Sequence, residues 1–573
     1  MKASETTLRN LLEGGKQFQI PLFQRPYSWK KENWETLWED LMSLYKEEVQ
    51  GFYFLGPIVT QAVLGTADSI TPFIVIDGQQ RLTTLTIVLA ALRNYLKKTD
   101  RDMAQEVEEL YLINKFKKND DIYKVLPTQD DREVYKSIIQ SKQAKDIKKE
   151  GQIYEAYKFF EGKFKKPDYE DEISLDYAKF KTILLERLVL VNITSDDSDN
   201  PYLIFESLNN KGEELSQADL VRNYIFMKLP DEEREDVYKS EWLPLQEKFK
   251  VNMDKKEYAD ELTSAFWFYL RKDGDAVNQK EVYKALKKRF DKSEKSFAEP
   301  ELGIKAELQN LVQFANYYQR LNFENEEPKP QLRRWFKRLM RLDFTTCHIF
   351  LLNIYHEYEE ERLSLQDFEK ILRYLESYFV RRWLTGVSTR VLGTVFNNLY
   401  TQVKAKNCDD LVSGLRAVLI SFEGNQVWPD DDSFRHAIIQ GSLYSKSSSA
   451  NDRVKLLLES IEEFVTKERV EFEKLTIEHI MPQKSPLRKE WQQMLGPNYS
   501  NVQKKWLHTL GNLTLTGYNP ELSNRPFEEK VILLRDSNLT LNQYFRKIDI
   551  WNEEAIKTRA EYLADIAMKV WLR

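Results

Sequence analysis

Apolar and polar positions along the chain change their period twice, and the changes outline its organisation. Up to about residue 93 short apolar runs alternate with amphipathic ones. Residues 18–23 read as a strand running into the turn Gln24-Arg25-Pro26-Tyr27. Trp34, Trp38 and Leu41 share one stripe at helical spacing, which predicts a helix over 29–45. Residues 52–55 and 57–60 are strand-like, and 73–76 form a buried strand that ends at Asp77-Gly78. A helix is predicted over 82–96, with Thr83 and Thr84 near its cap.

From 98 to 181 the pattern is charged and helical. Residues 184–193 carry the content of another strand, 194–200 a polar loop and 215–227 a helix. From 230 to 422 helix follows helix, as in 363–372, where Ser364 precedes apolar residues at helical spacing. No fixed period recurs, so a solenoid is not supported. The serine-rich stretch 441–450 is the most linker-like, and a helix over 451–468 follows it. The expected fold class is α+β, predominantly helical, with domains at 1–229, 230–450 and 451–573.

The chain has 573 residues and a net charge of −6, enough length for several cores. Its mean hydropathy of −0.58 and the absence of a long apolar run argue against a membrane protein. The polar start, Met1 to Thr7, lacks the apolar core of a signal peptide, so a cytoplasmic location is expected. Cys347 and Cys408 lie far apart without metal-type spacing and are expected as reduced core thiols. The charge balance does not suggest a constitutive nucleic-acid binder. Basic clusters at Arg333-Arg334, Lys337-Arg338, Arg381-Arg382 and Lys504-Lys505 are read, one by one, as solvated helix faces beside core tryptophans.

The densest chemistry lies near the end. Glu478 and His479 close a short apolar run, Gly511-Asn512 opens a second, and Asn524 precedes a helix-like segment with Lys530. On a strand Glu478 and His479 would face opposite ways unless the chain bends, and Pro482 favours a bend. An imidazole can take a proton from water while a hard ion, held by the oxygens of Glu478 and Asn524, offsets charge on a phosphate. Asn512 would hold the opposing loop or the histidine, and Lys530 would contact a phosphate. The bland alternative, a hairpin with a hydrogen-bonded histidine, is outweighed by the ordered set of polar residues in one short region.

These residues resemble the His-Asn-His/Asn (HNH) nucleases with a ββα-metal site, and more closely the C-terminal domain of GmrSD-type modification-dependent (type IV) restriction endonucleases. The resemblance implies that His479 is the general base, Glu478 a metal ligand for Mg²⁺ or Mn²⁺ and Asn512 the middle asparagine. It leaves Asn524 and Asn519 as alternatives for the third position, with Asn524 favoured.

Three further motifs lie in the first part. They are Gln24-Arg25-Pro26-Tyr27-Ser28-Trp29, Asp77-Gly78-Gln79-Gln80-Arg81, and residues 205–212 together with Asp219 to Asn223. A buried strand ending in Asp-Gly, then two amides and an arginine entering a helix, suits phosphate binding at a helix N-terminus. The Gly-x4-Gly-Lys-Ser/Thr phosphate loop is missing. Together the three motifs resemble the ParB-like N-terminal domain of the same family. That likeness implies a pocket for a nucleoside triphosphate, GTP or ATP, with Arg25, Asp77, Gln79, Gln80, Arg81, Asn209 and Lys211 as its residues. The expectation is a nucleotide-regulated, divalent-metal-dependent endonuclease that cuts modified foreign double-stranded DNA, phage DNA above all, as a monomer or a homo-oligomer. The competing expectations are a nucleotide-driven DNA-binding switch without cleavage and a non-selective toxin nuclease.

Overall fold

A computed structural model of the protein describes all residues except 1, 22–23, 64–69, 142–150, 166–174, 196–215, 252, 254, 324, 407, 446, 468 and 518–521. The chain divides into two compact units, 1–263 with 283–309, and 264–282 with 310–573. The segments read from sequence as a helical middle and a nuclease region therefore share one unit from residue 310 onward. The fold is α+β and predominantly helical.

The first unit carries a six-stranded mixed sheet in the order β1-β6-β3-β4-β2-β5. These strands are β1 (Lys2–Thr7), β2 (Lys16–Gln19), β3 (Tyr53–Ala62), β4 (Thr71–Asp77), β5 (Val125–Leu126) and β6 (Leu188–Ser195). The two strand-like runs at 52–60 join into β3, and β1 was not anticipated from sequence. Residues 184–187, expected as the start of the strand over 184–193, are helical instead, so β6 begins only at Leu188. The amphipathic helix α1 (Lys31–Tyr45) buries Trp34, Leu37, Trp38, Leu41 and Leu44. Helix α2 (Gln79–Leu96) starts directly after β4, and most of its side chains are buried. A helix apolar nearly all round lies inside a core.

In the second unit α3 (Pro330–Arg341), α4 (Leu365–Leu384) and α5 (Ser448–Val465) lead to a small antiparallel pair, β7 (Thr476–His479) and β8 (Leu513–Thr516). Between the strands lies α6 (Tyr499–Trp506), and after them come α7 (Phe527–Arg535) and α8 (Glu553–Val570). The order β7-β8-α7 is the ββα arrangement anticipated for 475–530. Ser364 caps α4 by accepting from the Asp367 N–H at 3.1 Å. Three of the basic residues of α3 form ion pairs, and Arg333 donates to the Glu327 carbonyl at 2.7 Å. Arg338 binds Glu376 through two nitrogens at 2.7 Å each, Arg334 pairs with Glu463 and Arg341 with Asp452. Arg381 is fully buried and donates to the carbonyls of Pro429 and Trp571. Arg382 donates to the Ser388, Asn425 and Val427 carbonyls. Cys347 is a buried free thiol, whereas Cys408 is exposed rather than in a core. Among the described residues no helix is long and apolar enough to cross a membrane.

Candidate active site

Strand alternation sends Glu478 and His479 to different partners. Both are almost fully buried. The Glu478 carboxylate accepts from Lys530 of α7 at 2.5 Å, and the same ammonium donates to the His479 carbonyl at 2.7 Å. Lys530 is itself fully buried. Burial raises the Glu478 carboxyl and lowers the Lys530 ammonium, while each partner's charge opposes the shift of the other. The pair thus fixes α7 to the end of β7. The expected contact of Lys530 with a phosphate is closed to it in this arrangement.

The His479 ring meets groups that sequence reading missed. Its Nε2 lies 3.1 Å from His508 Nδ1, and its Nδ1 lies 3.1 Å from Gln483 Nε2. Tyr444 packs edge-on against His479 at 4.6 Å and parallel to His508 at 5.7 Å between ring centroids. Burial, with His508 and then Lys530 adding, lowers the His479 imidazole to about 3. His508 is half-buried and lowered by burial as well. Tyr444 comes from the stretch read as linker. It is held there because the Leu443 N–H donates to the His508 carbonyl at 2.8 Å and Ser442 bridges Thr509.

Asn512 is fully buried and works as an anchor. Its Oδ1 accepts from the Met481 N–H at 2.7 Å and from the Trp551 indole at 3.2 Å. Its Nδ2 donates to the carbonyls of Met481 and Leu507 at 3.1 and 2.9 Å. It therefore sets both the bend after His479 and the approach of the 507–509 segment that carries His508. Arg559 of α8, fully buried, donates to the Gly511 and Leu513 carbonyls at 2.8 and 2.6 Å and holds the start of β8.

Asn524 is described and half-buried, whereas Asn519 lies outside the described residues. A carboxylate and an amide oxygen are the donor types a hard divalent ion takes while it keeps several waters. Glu478 and Asn524 fit that chemistry by type. In the arrangement described, the positive charge beside Glu478 is the Lys530 ammonium. No group of three or more His, Cys, Asp or Glu stands together among the described residues.

In the first unit two of the three motifs are stitched to each other. Gln80 is buried. Its Oε1 accepts from the Ser28 N–H at 2.7 Å and its Nε2 donates to the Pro26 carbonyl at 3.4 Å. Gln24 donates to the Val75 and Ile76 carbonyls. Tyr27 Oη lies 2.7 Å from Thr84 Oγ1 and accepts from the Trp34 indole at 2.8 Å. Asp77 and Arg81 are paired at 3.3 Å and stay partly exposed, as are Arg25 and Gln79. Gly78 sits at φ 88° as the N-cap of α2, which has no side-chain cap, so the expected cap near Thr83 and Thr84 lies several residues too late. A Cβ on Gly56 would collide with the Arg81 guanidinium. In the third motif, Asn209 and Lys211 lie outside the described residues. Ser216 caps the helix Gln217–Lys228 by accepting from the Asp219 N–H, and Arg222 pairs with Asp219 at 2.8 Å.

One unit thus carries a polar strand-to-helix turn and the other a buried ββα centre. Residues 8–226 match the GmrSD restriction endonuclease N-terminal domain, and residues 428–566 match the C-terminal domain of GmrSD restriction endonucleases. The chain belongs to the GmrSD restriction endonuclease family, the type IV class, and DNA is its substrate. A search of curated proteins gives no match.

Proposed function

We propose that the protein is a nucleotide-regulated, divalent-metal-dependent endonuclease that cuts modified foreign DNA in bacterial defence. The observation that carries the cleavage half is the imidazole centre at the end of β7, where His479 and His508 meet at 3.1 Å over the Asn512 anchor. Neutral imidazole is the side chain suited to taking a proton from water near neutral pH. Mg²⁺ or Mn²⁺, held by Glu478 with Asn524 or Asn519, would supply positive charge against the phosphate. The chain's own residues do the rest: Asn512 fixes the bend, Tyr444 packs both rings, and Lys530 ties the helix to the strand.

The nucleotide half is supported by the start of α2. Its first N–H groups meet no side-chain cap, and Asp77, Gln79 and Arg81 flank them, with Arg25 across the stitched loop. Helix N-termini and arginine forks favour phosphate. GTP or ATP is the proposed ligand.

The test is cleavage of duplex DNA bearing glucosylated hydroxymethylcytosine, of phosphorothioate DNA and of unmodified DNA, with Mg²⁺ or Mn²⁺ and with or without GTP and ATP. Cutting of one modified duplex, altered by nucleotide, is expected. Equal cutting of all duplexes makes the protein a general nuclease. Nucleotide hydrolysis without cutting makes it a switch.

A further inference from the structure

The segment between the two strands of the ββα centre, residues 484–505, holds its charge differently from α3. It carries Lys484, Arg488, Lys489, Lys504 and Lys505 against one carboxylate, Glu490, in a chain whose net charge is −6. All five cations are exposed. Lys505 pairs with Glu553 at 3.3 Å. The side chains of the other four meet no hydrogen-bond or ion-pair partner among the described residues. On α3, by contrast, Arg334, Arg338 and Arg341 are each matched by a carboxylate.

The segment is firmly anchored beneath these charges. Leu487, Trp491, Leu495, Val502 and Trp506 are buried in the core they share with Phe527 of α7. The Trp491 indole donates to the Arg525 carbonyl at 3.0 Å. Gln503 of α6 is buried and donates to the Pro482 carbonyl at 2.9 Å and to the Lys484 carbonyl at 3.2 Å. That amide ties the bend after β7 to α6, so the backbones that carry Lys484 and Lys504 meet at one junction. Gln483, the neighbour of Lys484, has its amide 3.1 Å from the His479 ring. The unmatched cations therefore begin one residue from a group that touches the candidate base.

We propose that this segment grips the duplex backbone beside the cut, with Lys484, Arg488, Lys489 and Lys504 on phosphates. The inference rests on the endonuclease reading and extends it to how the DNA is held. Cations left together without counter-charge repel one another. A duplex, with one negative charge per about 1.7 Å of its axis, relieves that repulsion and releases its own counterions. Phosphate contacts set register and orientation but carry no sequence information. This surface therefore holds modified and unmodified duplexes alike, and discrimination between them lies elsewhere.

The full chain is compared with the variant Lys484→Gln/Arg488→Gln/Lys504→Gln and with a control of the same charge change, Arg373→Gln/Arg390→Gln/Lys406→Gln. The control residues are also exposed and lie in the same unit. Binding to the modified and unmodified duplexes is followed by fluorescence anisotropy in EDTA over a range of salt, so no cleavage is needed. Removal of three phosphate contacts is expected to weaken binding about 10²-fold at about 0.1 M salt and to flatten the slope of log affinity against log salt by about 3. The loss should be the same on every duplex, and the control should keep the wild-type slope. If the 484/488/504 variant keeps that slope, or the control loses as much, the surface is overturned while the endonuclease reading stands. If the wild type binds none of the duplexes, both fall.

Discussion

The two motif-bearing regions place their polar residues in opposite settings. In the second unit the candidate site residues are also part of the core: Glu478, His479, Asn512 and Lys530 are all nearly or fully buried and bound to one another or to backbone. In the first unit Asp77, Gln79 and Arg81 stand half-exposed at a turn, and the buried amides Gln24 and Gln80 serve the backbone behind them. A change at the C-terminal site should therefore alter fold and chemistry together, whereas a change at the exposed N-terminal positions should alter ligand binding with little effect on stability.

The largest effect expected is on catalysis. His479→Ala should lower DNA cleavage about 10²-fold or more, since it removes the imidazole proposed to take the proton from water, while binding of a fluorescent GTP or ATP analogue is unchanged. Nucleotide binding lost in parallel would break the comparison by showing that the regions are not separable. Next is Lys530→Met, which leaves the Glu478 carboxylate buried without its cation. A stability loss of about 3–5 kcal/mol is expected in urea unfolding. The double variant Glu478→Gln/Lys530→Met should recover much of it, and no recovery would mean that the ion pair is not the source of the loss.

A third expectation concerns pH. Burial depresses His348 and His479 below their ordinary value of 6.5, to about 4 and about 3. Groups with depressed values in the folded state contribute stability that is present above the unfolded value and lost as pH falls through the folded one. The second unit should thus lose stability between pH 6.5 and about 3, and His348→Phe should reduce that slope in acid titration followed by tryptophan fluorescence. In the first unit Gly78→Ala should cost about 1–3 kcal/mol, because φ is 88° and a Cβ would lie 2.9 Å from the Pro57 carbonyl oxygen. The melting temperature reads this directly. Smallest in stability is Arg81→Gln, expected to shift unfolding by no more than about 0.5 kcal/mol, as for a partly exposed pair, yet to weaken nucleotide binding. An equally large loss of stability would place Arg81 with the core residues instead.

Local patterns carried most of what sequence revealed. The Trp34-Trp38-Leu41 stripe gave α1, the apolar run before Asp77 gave β4, and Glu478-His479 with Gly511-Asn512 gave both strands of the ββα centre. The features missed depend on pairings across long separations. Nothing near Lys530 signals that its charge belongs with Glu478, 52 residues earlier, so the lysine read as a phosphate contact. His508 sits among Trp506, Leu507 and Leu510 with no periodicity to mark it. Its contact with His479 becomes visible only when Asn512 folds that segment against the turn at Met481. A second histidine just before the Gly-Asn turn was the available signal. Tyr444 was hidden by its serine-rich neighbours, whose composition speaks for a linker while two backbone contacts dock it.

Arg381 and Glu376 on α4 hold the carbonyl and indole of Trp571, partners made 190 and 195 residues later. On the ribosome, these two buried groups lack this last partner until nearly the whole second unit has emerged. The second unit therefore completes its packing late, and a nascent or prematurely ended chain would carry the candidate site residues without the framework that aligns them. For a protein that cleaves DNA, such delayed assembly is a safeguard for the cell that makes it.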